Sequence, residues 1–215
     1  MAERAYDDGQ ILVEALIGIG DYGNNAYILS GPQRDAVTII DAPGGAEAIL
    51  EAVGTRRIER IVVTHSHFDH WAGFDVLRAA TDAPVSAGAE ETNLEVSRGI
   101  LPLRHGERLA IGGVEAEVIH TPGHTPGSIC IRFGGVVLTG DTLFPGGPGR
   151  TRDNASLLQE VESIATRLLV LPPEMLVLPG HGPSCPLATS VEEHAAFASK
   201  PHAADLAGDV LWLES

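Results

Sequence analysis

A chain of 215 residues with 44% hydrophobic and 20% charged side chains has the composition of an ordinary globular protein, so disorder is not expected. This length suffices for one domain with a sizeable core and does not by itself require two. The formal net charge of -15 repels phosphate backbones and anionic lipid heads, which argues against nucleic acid or a membrane surface as a general partner.

Neither the N-terminus nor the cysteine content predicts an exported protein. Residues 1–8 are acidic and lack a basic segment followed by an apolar stretch, so no signal peptide is predicted and the expected location is the cytoplasm. The apolar stretch 11–20 contains Glu14 and is too short to span a bilayer. Cys130 lies in an apolar run and is expected to be buried, whereas the proline-rich surroundings of Cys185 allow exposure.

Apolar periodicity and turn residues predict the elements of the first half of the chain. The predicted strands are residues 11–19, 26–29, 36–40, 61–63 and 84–86. Residues 46–53 repeat with helical spacing up to Gly54, and residues 72–80 form a second predicted helix. Residues 88–106 carry a weaker pattern and are interpreted as helix and loop.

The second half adds two hairpins around glycine pairs, two helices and two further strands. The hairpins join residues 108–111 to 114–119 and 128–133 to 136–138, and the strands are residues 175–178 and 210–213. Helix 157–169 is amphipathic, with Ser156 at capping-box spacing, and Ser190 is expected to cap a last helix that ends near residue 199. The irregular alternation favours an α+β fold of two mixed sheets with helices packed outside, in one domain covering residues 1–215.

The segment directly after the apolar strand 61–63 has the pattern of a metal site. Thr64-His65-Ser66-His67-Phe68-Asp69-His70 holds three imidazoles and one carboxylate within six positions. Neutral imidazole offers a lone pair, and alternate positions of an extended chain point to the same side, so His65 and His67 can share an ion. Three imidazoles packed this tightly would repel one another when protonated, and a metal ion removes that cost.

Three further ligand candidates each follow an apolar strand and are flanked by Gly or Pro. They are His124 in Thr121-Pro122-Gly123-His124, Asp141 in Thr139-Gly140-Asp141, and His181 in Pro179-Gly180-His181. Four strand ends thus each deliver a His or an Asp. A metal site at one edge of the sheets is the simplest explanation.

Other polar residues have weaker claims to a role. A lone histidine is more often a satisfied polar residue than a ligand, and His105, His194 and His202 are interpreted in this way. His120 and Asp41 are candidates for contacts behind the ligands, where Asp41 would orient an imidazole. A turn-forming role explains Asp41 equally well.

These motifs resemble those of the metallo-β-lactamase superfamily. Residues 65–70 are similar to its central motif, and His124, Asp141 and His181 follow in the order of its remaining ligand positions. The resemblance implies a four-layer αββα sandwich with the metal site at one edge. Within the superfamily, residues 121–128, residues 140–144 with Gly149-Arg150, and residues 179–182 resemble hydroxyacylglutathione hydrolase, or glyoxalase II.

The resemblance assigns two divalent metal ions to these side chains. It implies one ion on His65, His67 and His124, a second ion on Asp69, His70 and His181, and a bridge between them through Asp141. In β-lactamases of this fold the bridging position is not usually an Asp, so Asp141 argues against lactam hydrolysis. Imidazole and carboxylate ligands fit Zn, the expected metal, and also Fe or Mn.

The expected reaction is hydrolysis of a small-molecule thioester. Two ions that share a water lower its pKa from ~15.7 toward ~7, and the metal-bound hydroxide, oriented by Asp69 as the catalytic carboxylate, attacks the carbonyl. A thiol with a pKa near ~8.5 leaves as a thiolate without a strong general acid. An amine leaving group would need a proton donor, and the motifs offer no obvious one.

Two departures and three alternatives leave the substrate open. Glyoxalase II carries a helical C-terminal domain that helps to bind the thiol, and only a short segment follows His181 here, so its glutathione contacts are not carried over. Trp71 replaces a small residue usual in that subgroup and either shapes the pocket mouth or packs. The alternative functions are an iron-dependent persulfide dioxygenase and a nuclease, phosphodiesterase or other ester hydrolase of the same fold. Acidic charge and the lack of an inserted nucleic-acid domain weigh against a nuclease or phosphodiesterase. A metal-binding module without catalysis is a third interpretation, and the complete ligand set argues against it.

Overall fold

Two mixed sheets and four helices build the structure, a computed structural model that describes residues 1–91, 94 and 99–215. The first sheet has seven strands, which pair in chain order: β1 (Glu3–Asp7), β2 (Leu12–Ile19), β3 (Asn24–Ser30), β4 (Ala36–Ile40), β5 (Arg57–Val63), β6 (Val85–Gly88) and β7 (Leu101–Leu103). The pairs from β1 to β4 are antiparallel and those from β4 to β7 are parallel.

The strands of the second sheet are β8 (Arg108–Ile111), β9 (Val114–His120), β10 (Ile129–Phe133), β11 (Val136–Gly140), β14 (Leu176–Pro179) and β15 (Cys185–Pro186). They pair in the order β15-β14-β11-β10-β9-β8, and β12 (Leu143–Phe144) pairs with β13 (Gly147–Pro148) as a separate two-stranded sheet. The helices are α1 (Ala46–Val53), α2 (Phe74–Ala80), α3 (Asn154–Ser163) and α4 (Leu187–Ala198). Among the described residues, no helix combines the length and the apolar character that crossing a bilayer requires.

Alternation along the strands decides which side chains enter which layer. Val62 of β5 points into the core between the two sheets, whereas Ile61 and Val63 point to the outer face, which α1 and α2 cover. A third buried cluster joins the outer face of the second sheet to α3 and α4. Each fully buried aliphatic side chain contributes about 1.5–3 kcal/mol to folding. The predicted αββα sandwich of two mixed sheets is therefore confirmed.

Two predicted helix caps and one predicted strand are wrong, each for a local reason. Asp153, not Ser156, caps α3, because the Asp153 carboxylate accepts the Ser156 N–H at 2.8 Å. α4 begins at Leu187 after a proline, so Ser190 lies inside the helix. Residues 210–213 do not form the predicted strand: a turn covers residues 212–214, and the fully buried Trp212 packs against Phe197 of α4.

Several short strands have no clear alternation of apolar and polar residues and were not predicted from the sequence. β1 is a polar edge strand, and β7 lies within residues 88–106, which were interpreted as helix and loop. Residues 92, 93 and 95–98 of that stretch lie outside the described residues. Cys185 lies in β15 and is buried in the cluster between the second sheet and α4, so the exposure that its surroundings allow is not observed. Cys130 is buried as predicted.

Candidate metal centre

The seven predicted ligand residues lie together at one edge of the two sheets. They come from the loops after β5, β9, β11 and β14, as the strand-end pattern predicts. In the described part of the chain, three groups place one ligand atom per residue within 4.8 Å of one another: His65, His67 and His124; His65, His70 and Asp141; and Asp69, His70 and His181. The first and third groups are the two ligand sets that the resemblance implies.

The segment after β5 divides its side chains between two neighbouring points. The chain bends at His65 and passes through His67 in extended backbone, and a single 3-10 turn over Phe68–His70 then redirects it. The His65 and His67 rings are 4.9 Å apart between centroids. The turn carries Asp69 and His70 to a second point nearby, where the two side chains approach to 3.5 Å.

Each of these two places contains a short contact between two imidazole nitrogens. His65 Nε2 faces His124 Nε2 at 3.2 Å, and His70 Nε2 faces His181 Nε2 at 3.3 Å. Asp141 lies between them, with Oδ1 3.2 Å from His70 Nε2 and Oδ2 3.8 Å from His124 Nε2. One carboxylate therefore reaches both groups, which is the arrangement a bridging ligand requires.

The hydrogen bonding of this cluster is incomplete without a cation. Asp141 Oδ1 is buried and lacks an assigned hydrogen-bond partner, with His70 Nε2 3.2 Å away. An unsatisfied buried carboxylate oxygen is costly, and facing imidazole nitrogens leave lone pairs directed at each other. Divalent cations accept both kinds of lone pair, so the residues present fit the metal that the motif predicts.

Burial and charge set the protonation of the imidazoles. Burial, and after it the charges of neighbouring imidazoles, lower the pKa of His65 well below its ordinary value. Burial likewise lowers the pKa of His124 to about 4. Burial acts in the same direction on His70, but the carboxylates of Asp41 and Asp141 outweigh it and raise the pKa of His70. His65 and His124 thus offer free lone pairs, and an ion would take the place of a proton at His70.

Asp41 lies behind the ligands and orients one of them. Its Oδ2 accepts the Nδ1–H of His70 at 2.8 Å, so the Nε2 atom of that ring faces the cluster. The same carboxylate accepts the Thr64 N–H at 2.7 Å and the Thr64 hydroxyl at 2.9 Å. Asp41 also has a positive φ of 63°, which few residues other than Gly adopt. Of the two roles considered for Asp41, the orienting contact is the one observed.

Asn24 is a site residue that the sequence pattern does not reveal. Its side-chain amide donates to Asp69 Oδ2 at 2.8 Å and lies 3.2 Å from His181 Nε2. Burial alone would raise the pKa of Asp69, but hydrogen bonds from His181 and Asn24 hold it below its ordinary value. The neighbouring Asn25 donates to the carbonyls of Pro179 and Gly182 on either side of His181. Two successive asparagines entering an apolar strand were the available signal.

A glycine before His181 leaves room for the cluster. A Cβ on Gly180 would lie 2.3 Å from Asp141 Oδ1 and 2.6 Å from His70 Cε1. No side chain fits at that position without displacing a predicted ligand. The glycine flanking the histidine is therefore required by close approach.

Helix α3 positions the loop that carries His124. Ser163 donates to the Pro122 carbonyl at 2.8 Å, and a Cβ on Gly123 would lie 2.4 Å from Glu160 Cα. Glu160 Oε1 accepts the Gly149 N–H at 3.1 Å, next to the Arg150 carbonyl that accepts the His124 Nδ1–H at 2.9 Å. A charged residue on the buried side of an amphipathic helix was the sequence signal for Glu160.

We expect Glu160→Gln to remove a pH dependence of stability. Burial raises the pKa of Glu160 to about 9, and the Asp141 charge adds to this. The folded protein therefore retains a proton on Glu160 that the unfolded chain releases near the ordinary pKa of a glutamate. Wild-type stability therefore falls as pH rises toward 9, by up to about 1.4 kcal/mol per pH unit relative to the variant. Urea unfolding from pH 6 to 9 measures the difference. Glu162→Gln, exposed on the same helix, is the control, and parallel curves for wild type and Glu160→Gln would contradict the expectation.

A cavity of about 850 Å³ opens on the cluster. Five of the seven predicted ligands line it, while His65 and His70 lie buried beneath. Arg150 and Arg152 also line this cavity.

Trp71 packs against the outer face of the first sheet and donates to the Ser66 carbonyl, so packing is its observed role. His120 contacts the Pro126 carbonyl at 2.9 Å.

Comparisons with known proteins agree with this geometry. A family profile described as the metallo-beta-lactamase superfamily matches residues 19–181. A hydroxyacylglutathione hydrolase from Fuscovulum blasticum is 35% identical over 74% of this chain, but the match covers 62% of its own length, less than two thirds. A probable metallo-hydrolase, YqgX from Bacillus subtilis, is 34% identical over 82% of this chain and 93% of its own.

Solved structures agree as well. The crystal structure of TTHA1623 in a di-iron-bound form is 31% identical, with a TM-score of 0.68. The match covers 80% of this chain and 94% of that one.

Proposed function

This chain belongs to the metallo-beta-lactamase superfamily, and we propose that within it the protein hydrolyses small-molecule thioesters with two divalent metal ions. The observation that carries the proposal is the convergence of seven imidazole and carboxylate side chains at one open cavity, five of which line it while His65 and His70 lie buried beneath. The hydroxyacylglutathione hydrolase from F. blasticum supports the thioester class, although the chain spans less than two thirds of that relative.

The proposed ligand sets follow the three groups in the cluster. His65, His67 and His124 would hold one ion, Asp69, His70 and His181 the other, and Asp141 would bridge them. Bound there, a pair of divalent ions supplies an activated water and a Lewis acid for the carbonyl oxygen. Zn is the proposed metal from the ligand types, and the di-iron-bound relative supports testing Fe beside it.

The chain's own residues have distinct parts in the reaction. Asp69 lines the cavity and is held by Asn24, so its carboxylate is placed to orient the attacking water. Asp41 and the Arg150 carbonyl keep the Nε2 atoms of His70 and His124 directed at the cluster. Neither contact reaches the substrate, so these groups position ligands rather than react.

The chemistry of the leaving group favours a thioester over an amide. Arg150 and Arg152 at the cavity wall lie beside carboxylates, Asp209 at 3.7 Å and Asp153 at 3.1 Å, so each of their charges is balanced by a neighbour. A thiol with a pKa near ~8.5 departs as the thiolate, so the step needs no general acid. This is why we propose a thioester rather than an amide.

Metal analysis and a substrate panel on the same sample test the proposal. We expect about two divalent ions per chain by mass spectrometry and release of free thiol from thioesters. One iron per chain with oxygen uptake on a persulfide would instead identify a persulfide dioxygenase. Turnover of a phosphodiester without thioester turnover would identify a phosphodiesterase. Either result, or failure to take up divalent ions, would overturn the proposal.

A further inference from the structure

A second cavity, of about 270 Å³, opens on the same cluster. It shares His124, Asp141, Arg150 and His181 with the larger cavity, so the two meet at the reacting position. Its remaining wall holds Gly147, Asp209 and five apolar side chains, those of Phe144, Pro145, Pro148, Val210 and Leu211. We call this second cavity the apolar lobe.

Fixed contacts hold the two walls of the apolar lobe together. The Trp212 N–H donates to the Gly146 carbonyl at 2.8 Å, and the Trp212 side chain is fully buried in the core under the second sheet. Gly208 and Thr151 exchange two backbone hydrogen bonds, of 3.0 and 3.2 Å. The Gly146 N–H also donates to Glu193 on α4 at 2.9 Å. The lobe is thus already formed without a ligand, which lowers the cost of binding one.

We propose that the apolar lobe binds the acyl arm of the substrate and selects a short, apolar acyl group. The inference rests on the proposed thioester hydrolysis, in which the carbonyl lies at the cluster and the two arms diverge from it. The larger cavity, of about 850 Å³, matches a large thiol arm in size. The smaller cavity, with its five apolar side chains, matches the acyl arm.

A series of acyl esters of one thiol tests the lobe in the metal-loaded protein. For acetyl, propionyl and butyryl esters we expect kcat/KM to rise roughly fourfold per methylene, because each buried methylene removes apolar surface from water. Leu211→Trp fills the lobe and should reduce the butyryl-to-acetyl ratio by about tenfold. Leu213→Trp is the matched control, since Leu213 lies in the same segment, is 57% exposed and does not line the lobe.

A second variant and a binding measurement distinguish filling of the lobe from misfolding of Leu211→Trp. Leu211→Ala enlarges the lobe and should shift the preferred acyl group to a longer chain. Calorimetry with S-alkyl thioethers of the same thiol should show affinity that rises with alkyl length in wild type and less steeply in Leu211→Trp. Equal turnover of all chain lengths, or equal effects of the Leu211 and Leu213 variants, would contradict acyl binding in the apolar lobe without contradicting thioester hydrolysis. No hydrolysis of any thioester would overturn the proposed function as well.

Discussion

Replacing Asp141 with Asn is expected to abolish hydrolysis and to lower the metal content of the purified protein. Asp141 approaches His70 through one oxygen and His124 through the other, and its Oδ1 is buried without a hydrogen bond. Asn is isosteric but neutral, and one of its two terminal atoms is an NH2 group with no lone pair for a cation. The loss of activity should exceed the roughly 10- to 100-fold that removal of an outer partner costs.

Metal content by mass spectrometry and thioester turnover, measured on one preparation, check this expectation. Asp82→Asn, at an exposed position in the loop after α2, is the matched control and should retain both. Circular dichroism should show that Asp141→Asn keeps its secondary structure. Full activity in this variant would refute the bridging role of Asp141.

Replacing Asp41 with Ala is expected to destabilise the protein by about 3 kcal/mol or more. Asp41 is 2% exposed, and its carboxylate accepts three hydrogen bonds, two from Thr64 and one from His70. Removing it leaves the Thr64 N–H and the His70 Nδ1–H buried without an acceptor. The His70 ring also loses the contact that directs Nε2 at the cluster, so metal affinity should fall by roughly 10- to 100-fold.

Two measurements separate the structural and the positioning parts of this effect. Urea unfolding in the presence of a chelator reports the loss of stability without bound metal. Competition with a chromogenic chelator reports metal affinity in the folded protein. Asp35→Ala, at an exposed position before β4, should change neither. If Asp41→Ala unfolds at the wild-type urea concentration and keeps its metal affinity, the orienting role is wrong.

The elements closest to the site could be predicted because their patterns are local. β4 ends at Ile40 as predicted, and β5 contains the apolar run 61–63 with both faces buried. Three imidazoles in six positions have few explanations other than a metal ion, whatever the rest of the chain does. Their assembly with His124, Asp141 and His181 is now visible in the geometry, while their roles as ligands stay predictions.

Other features depend on partners that are far away in the chain. Asn24 lies 45 positions from Asp69, and Glu160 contacts the loop beside Gly149 from an otherwise ordinary amphipathic helix. Nothing in the neighbourhood of either residue states which group it will meet. Trp212 is a further example. Its apolar neighbours in the sequence predict a strand, but in the structure Trp212 packs against Phe197 of α4 and lies in a turn.

Residue order alone was thus sufficient for two mixed sheets with outer helices, which follow from periodicity and turn residues, and for the seven candidate ligands, which follow apolar strands. The resemblance of these motifs then indicated the family. The packing of the two sheets was needed to place Asp41, Asn24 and Glu160 behind the ligands and the segment before Trp212 beside the cavity. Hydrogen bonds to buried polar groups form only where distant segments exclude water together. Such exclusion is a property of the folded chain and not of any short stretch of it.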